Sequence, residues 1–392
     1  GEPLWMKNFR LNSYKKFLEL DNPSFGPKIN IDFDNLVYHK GLFAPPSCSW
    51  ENVDKKVKNT FNDLGVIEAE NKYLKGVSNQ YESDGIIFLS TDEALKKYPE
   101  LFEKYFNNLV KYDENKYTAL NGALWSGGSF IYIPPYTKVD RPLQSYFRID
   151  TKNLGQFERT IIIVDHDSSL HYIEGCTAKN YSTTSLHAGV VEIYVGKNST
   201  CKYSTIQNWS KDVYNLVTKR AILEEGAYMQ WVDGNIGSGV TMKYPSCILK
   251  GDNSKASSIS IAYAKEGQHL DAGAKMIHLG KNTKSTIISK SIAGFGGTSD
   301  YRGTVKIAKD ATGSFATIKC DNIILDNISS SNTYPKNIVE NNESTLEHEA
   351  TISKINEEKL NYLMSLGISE DAAKDLYVLG FMSDFKKSLP ME

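Results

Sequence analysis

Two rhythms of apolar and polar positions alternate along this chain. From residue 1 to 125 the spacing is mainly helical, with Trp5, Phe9 and Phe17 recurring near one face of a first helix. The run "ENVDKKVKNTFNDLG" reads as a second helix stopped by Gly65. "TDEALKKY" reads as a third, capped by Thr91, and Pro99 opens a fourth, "PELFEKYFNNLV". Between them "GIIFLS" reads as a strand.

From 126 to 340 the helical spacing disappears. Short runs rich in Ser, Thr and apolar residues alternate with Gly, Asn and Asp turns. The turn markers Asp167, Gly196, Gly226, Gly251, Gly280 and Asp310 are 29, 30, 25, 29 and 30 residues apart. Units of that length bury their apolar faces only by stacking on their neighbours, which makes a solenoid. They hold strand and turn without helix, so the predicted core is a β-helix. A β-sandwich, the rival, would turn about every 8–12 residues without the longer period.

Residues 341–392 return to helix. "NEEKLNYLMSLG" ends at Gly367, Ser369 caps a second helix that stops near Gly380, and "FMSDFKKS" reads as a short third one. The expected organisation is a helical N-terminal region (1–125), a solenoid (126–340) and a C-terminal segment (341–392). That last segment reads as a small helical cap on the solenoid end or as a docking surface for a partner, and terminal capping is needed in either case.

Composition narrows the function. The formal net charge of -2 gives no global field for nucleic acid or an anionic membrane. No apolar run approaches a membrane span and no signal peptide is recognisable, so the expectation is a soluble protein. The chain begins at Gly1, the mark of a processed or trimmed chain. The five cysteines, Cys48, Cys176, Cys201, Cys247 and Cys320, are scattered without a C-x-x-C. That argues against zinc ribbons and ferredoxin-type cradles, and for reduced thiols. Only six of the 45 basic residues are arginine, the signature of AT-rich coding.

One local pattern carries chemistry: "LEHEA", with Glu347, His348 and Glu349 in a row. It is not H-E-x-x-H, so a zincin helix is excluded. In an extended strand the two glutamates share one face and His348 takes the other, so a metal group needs a ligand from elsewhere. A carbohydrate lyase on a β-helix would need carboxylates clustered one coil apart, and no repeated Asp pattern is evident. A plain adhesion solenoid would leave the E-H-E group without purpose.

Ordered together, "ALNGALWSGGSFIYIP", "GQFERTIIIV", "HYIEGCTA", "KYSTIQNWS", "DYRGTVKI", "KCDNIILDNISSSNTYP" and "LEHEATISK" resemble the SufB family of iron–sulfur cluster assembly scaffolds. The resemblance covers almost the whole chain. It implies a right-handed parallel β-helix with helical regions at both ends, acting as a scaffold rather than an enzyme. It supplies the missing ligand, Cys320, beside Glu347, His348 and Glu349, and makes Cys176 the sulfur acceptor. Arg148, Gln207, Trp209 and Lys219 become the internal sulfur path, with Lys219 and Arg148 lowering the pKa of Cys176 unless they pair with Asp150 or Glu174.

Implied cofactors are iron and a transient Fe–S cluster, with reduced flavin a candidate on the complex. Implied partners are the SufC ABC-type ATPase, a SufD paralogue or second SufB, the cysteine desulfurase SufS with SufE, and acceptor apoproteins. The implied compartment is a plastid stroma, an apicoplast or a bacterial cytoplasm. Cys48, Cys201 and Cys247 are expected to be structural, as are His166, His171, His187, His269 and His278, while nothing singles out His39. Members of the family usually continue beyond "LPME", so the resemblance implies that the C-terminal partner-docking segment is truncated.

Overall fold

A computed structural model describes residues 2–38, 81–83, 85–149, 153–178 and 184–383, leaving aside the side chains of 81–83, 146–149 and 177–178. The sequence's predicted helix at 51–65, with Cys48, His39, Asp150 and the short helix after residue 383, lies outside these residues. Strands make up 47% of the structure and wind into a parallel β-solenoid of about seven turns, with six helices at its ends.

One wall of the solenoid is a sheet of eight strands whose spatial order is also their chain order. They are β1 (Leu143–Ile149), β2 (Ser169–Ala178), β3 (Thr200–Trp209), β4 (Tyr228–Gly237), β5 (Lys255–Ala264), β6 (Lys284–Ala293), β7 (Phe315–Ile324) and β8 (Thr345–Lys354). Every neighbouring pair is parallel. Ser169, Thr200, Tyr228, Lys255, Lys284, Phe315 and Thr345 stand in register, 27 to 31 residues apart, which is the period seen in the turns. The sheet therefore runs on to Lys354, past residue 340. A 13-stranded sheet forms the remaining wall, ending at Ser330–Val339.

The turn chemistry explains the Asn- and Gly-rich punctuation. Asp167, Asn198, Asn253 and Asn282 take positive φ at successive coil corners, where Gly226 and Gly313 do the same. Asn and Asp tolerate that region better than other residues with a Cβ. Between the walls, one half of the interior is apolar, built from residues such as Leu170, Cys201, Met229, Cys247, Leu249 and Ala316. Cys201 and Cys247 are fully buried there.

The N-terminal helices α1 (Leu4–Glu19), α2 (Thr91–Lys97), α3 (Pro99–Tyr105) and α4 (Lys116–Leu124) pack on one end of the solenoid. The predicted cap moves by one residue: Ser90 accepts from the Glu93 amide at 3.2 Å, while Thr91 donates to the Arg159 carbonyl at 2.6 Å. Helix α3 is shorter than predicted. Asn107 turns to positive φ, and the amides of Asn107, Leu109 and Val110 go to the Glu192 carboxylate at 3.1, 2.9 and 3.0 Å. Glu192 also pairs with Arg159 at 2.9 Å, both wholly buried. This tertiary anion outcompetes the helix for those donors. At the other end lie α5 (Glu357–Ser365) and α6 (Glu370–Phe381), with Gly367 at φ +84 and Ser369 capping α6, as predicted.

Candidate functional site

The register fixes which residues face inward. One inward row of the smaller sheet reads Glu174, Thr205, Asp233, Ser260, Ser289, Cys320 and Ala350, from β2 to β8. The next reads Cys176, Gln207, Asn235, Ala262, Ser291, Asn322 and Ile352. Cys176 and Cys320 thus sit near opposite ends of one polar lane, five strand spacings or about 24 Å apart along the solenoid axis. Hydrogen bonds link parts of the lane: Thr205 with Asp233, Ser260 with Ser289 (3.2 Å), and Ser291 with Asn322 (2.6 Å).

At the Cys176 end the thiol is fully buried and donates to Glu174 Oε1 at 3.2 Å. Burial, with Glu174 and Glu158 nearby, pushes the thiol well above its ordinary pKa, and Lys219 pulls the other way without prevailing. The expected lowering by Lys219 is therefore outweighed. Lys219 pairs neither with Glu174 nor freely with the sulfur. It lies 3.7 Å from Asp233 and 3.4 Å from Thr205 Oγ1, with its ammonium over the Tyr203 ring. Lys243 shares the same aspartate at 3.0 Å and donates to Gln207 Oε1 at 3.0 Å.

Asn215 also donates to Gln207 and meets His187 Nδ1 at 2.7 Å, while His187 Nε2 contacts Glu158. Trp209 packs against both Cys176 and His187. Burial works against a charged His187, but Glu158 outweighs it and the pKa is raised. Asp233 is likewise held below its usual range by Lys243 and Lys219 despite burial. The side chain of Arg148 lies outside the described residues; its backbone pairs with Thr177.

At the far end Cys320 is fully buried and its thiol is pushed up to about 12 by burial, which the Tyr301 hydroxyl beside it opposes. Ile318 is the register partner of His348, so Cys320 and His348 lie one strand and two residues apart on the same inward face, about 8 Å between Cα atoms. Asn337 Nδ2 stands 3.1 Å from His348 Nδ1, while Nε2 is shielded and meets no partner. Glu347 and Glu349 face outward and are exposed, as the strand alternation predicts. Among the described residues no group of three or more His, Cys, Asp and Glu side chains could hold a metal ion. Cys320 and His348 are the pair that this chain brings together, and the glutamates are on the opposite face.

Sequence reasoning missed Asp233, Lys243, His187, Glu158 and Tyr301. Their signal was buried polarity in strands, which becomes visible only once the register is known. It also missed a carboxylate pair one coil apart, Asp271 and Asp300, which are register partners. Each has a basic partner, Arg302 on Asp271 at 3.0 Å and His269 on Asp300 at 2.7 Å, and Phe25 lies against Arg302. This is an ion-paired joint under the N-terminal segment, not an open lyase cleft.

Residues 147–381 match the family described as SUF system FeS cluster assembly, SufBD core domain, and residues 24–145 match the SufBD protein N-terminal region. Over 405 residues the chain is 51% identical to the iron-sulfur cluster assembly protein SufB of Bacillus subtilis, covering 100% of this chain and 87% of that protein. The chain belongs to the SufB family. SufBD family proteins of Staphylococcus saprophyticus and Staphylococcus aureus are each 52% identical, with the same coverage. The general role of this SufB-family chain is therefore iron–sulfur cluster assembly. These relatives are bacterial, and among the described residues no helix is long and apolar enough to cross a membrane.

Proposed function

We propose that this chain is a scaffold on which iron–sulfur clusters are built from persulfide sulfur and iron and then passed to apoproteins. The observation that carries the reading is the polar lane: two inward thiols, Cys176 and Cys320, near its ends, with mostly polar side chains between them, beside an apolar half of the interior. Sulfur enters at Cys176, and Gln207, Trp209 and Lys219 line its exit along the lane. Iron and the growing cluster, as cargo, meet Cys320 and His348. Thiolate binds iron strongly and imidazole less so, which suits a cluster held for release. The pair alone is too few ligands, so a second chain completes the site and brings Glu347 or Glu349 into use at its margin.

That partner is a SufD paralogue or a second SufB-type chain, and a SufC ATPase drives the opening of their interface. A desulfurase of the SufS–SufE kind supplies sulfur, and reduced flavin on the complex supplies electrons. Free thiols suit a reducing compartment, bacterial cytoplasm or plastid stroma. The test is anaerobic incubation of the chain and its SufD partner with ferrous iron, cysteine and a desulfurase. The wild type gains visible charge-transfer absorption and Cys320→Ala loses most of it. Unchanged absorption in that variant rejects the assigned site.

A further inference from the structure

Persulfide transfer is a thiolate reaction, yet the described surroundings of Cys176 hold its proton. Net charge gives the reason. The side chains facing this end are Glu174, Glu158 and Asp233 against Lys219, Lys243 and His187, with Tyr172 and Tyr203 neutral. Three carboxyl groups face two lysines and an imidazole, and a thiolate formed by expelling a proton to solvent would add one more negative charge to this buried cluster. Such a charge is costly without a partner. A proton passed within the cluster leaves the balance unchanged.

Geometry offers one acceptor. Cys176 Sγ donates to Glu174 Oε1 at 3.2 Å, and both residues project inward from β2, two positions apart. The other carboxylate oxygen, Oε2, accepts from the Tyr203 hydroxyl on β3, which fixes its orientation. Beside the sulfur, on the same neighbouring strand, Gln207 Nε2 and Trp209 Nε1 are buried donors with no partner. They are free to meet an incoming sulfur atom.

We propose that Glu174 is the general base that takes the Cys176 proton as sulfur is loaded, with Tyr203 as its positioning residue. The inference rests on Cys176 being the sulfur acceptor. In the step the thiol proton passes to Glu174 Oε1. The freed sulfur lone pair forms a bond to the outer sulfur of a donor persulfide R–S–SH. The donor's S–S bond breaks, its electron pair leaves with R–S, and R–S takes up a proton to become R–SH. The products are Cys176–S–SH and a thiol, with no net oxidation.

The experiment uses the full chain and glutathione persulfide, following the mass gain of one sulfur on the peptide carrying residue 176 between pH 6 and 9. Wild type should load at a rate that depends little on pH, because the base sits beside the thiol. Glu174→Gln should load about 100-fold more slowly at pH 7, recovering as hydroxide replaces the base. A Glu174→Gln rate within twofold of wild type at every pH overturns the base. Tyr203→Phe leaves the Glu174 carboxylate in place but no longer held towards the thiol, so loading should slow about tenfold at pH 7 while keeping the wild-type pH dependence instead of the rising profile of Glu174→Gln. If Glu174→Gln does not fold by circular dichroism, a Tyr203→Phe rate within twofold of wild type overturns the proposal. Cys176→Ser separates the two layers: sulfur uptake equal to wild type rejects Cys176 as acceptor, whatever Glu174→Gln does. A wild-type chain that takes up no sulfur at residue 176 rejects acceptor and base together.

Discussion

Asp233 is the residue on which the polar interior turns. It is 2% exposed and holds two equally buried lysines, Lys243 at 3.0 Å and Lys219 at 3.7 Å. Asp233→Asn leaves two ammonium groups facing a neutral amide. Breaking a buried charge group by removing one partner typically costs about 3–5 kcal/mol. Urea unfolding should show a loss of that order, and a loss below about 1 kcal/mol would mean the lysines find other partners. The pH dependence has a defined sign. Lys243 and Lys219 lower the folded pKa of Asp233 against the opposing effect of burial. Its contribution is therefore present above the unfolded carboxylate value, about 3.9, and is lost as pH falls through the folded value.

Among elements, the coil corners and helix starts carry the local energetics. His278, fully buried, ends the strand His269–His278 and bridges Thr283 Oγ1 and Ser285 Oγ, each at 2.8 Å. Burial lowers its pKa to about 4. The unfolded chain binds a proton here from about pH 6.5 downward while the folded chain does not. Stability from this group is thus full above that value and lost as pH falls towards 4, at no more than about 1.4 kcal/mol per pH unit. In His278→Gln, thermal melts between pH 7 and 4 should show a shallower decline. At the start of α2, Ser90→Ala removes the side-chain cap on Glu93 and should cost about 1 kcal/mol. The same change at Thr91, the residue the pattern favoured, removes instead a bond to the Arg159 carbonyl and tests a tertiary joint.

At the scale of the molecule, β8 and Ser330–Val339 are the last strands of their sheets and are largely exposed, and among the described residues no further strand pairs with them beside Cys320 and His348. Open edges invite a partner strand or cover, in keeping with a scaffold completed by a second chain. Helices α5 and α6 expose Tyr362, Leu366, Leu376 and Leu379. On the proposed function this is where SufC docks. Deleting residues 356–392 should weaken SufC affinity at least tenfold in titration calorimetry, and an unchanged affinity rejects that placement.

How much of this was legible from the residues follows from what each signal requires. The turn spacing, the caps at Ser369 and Gly367 and the alternation in "LEHEA" are local, so they were readable from chain order alone. The family motifs pointed to Cys176 and Cys320 one by one. Which polar residues share a lane was not readable, because coils of 27 to 31 residues differ in length and a slip of one residue turns a side chain from the interior to solvent. Sequence determined the repeat, the helical ends and the chemistry-bearing residue types. Only the stacked register decided that Tyr203 reaches the Glu174 carboxylate, that Asp233 rather than Glu174 holds Lys219, and that the His348 face of its strand is the inward one, beside Cys320.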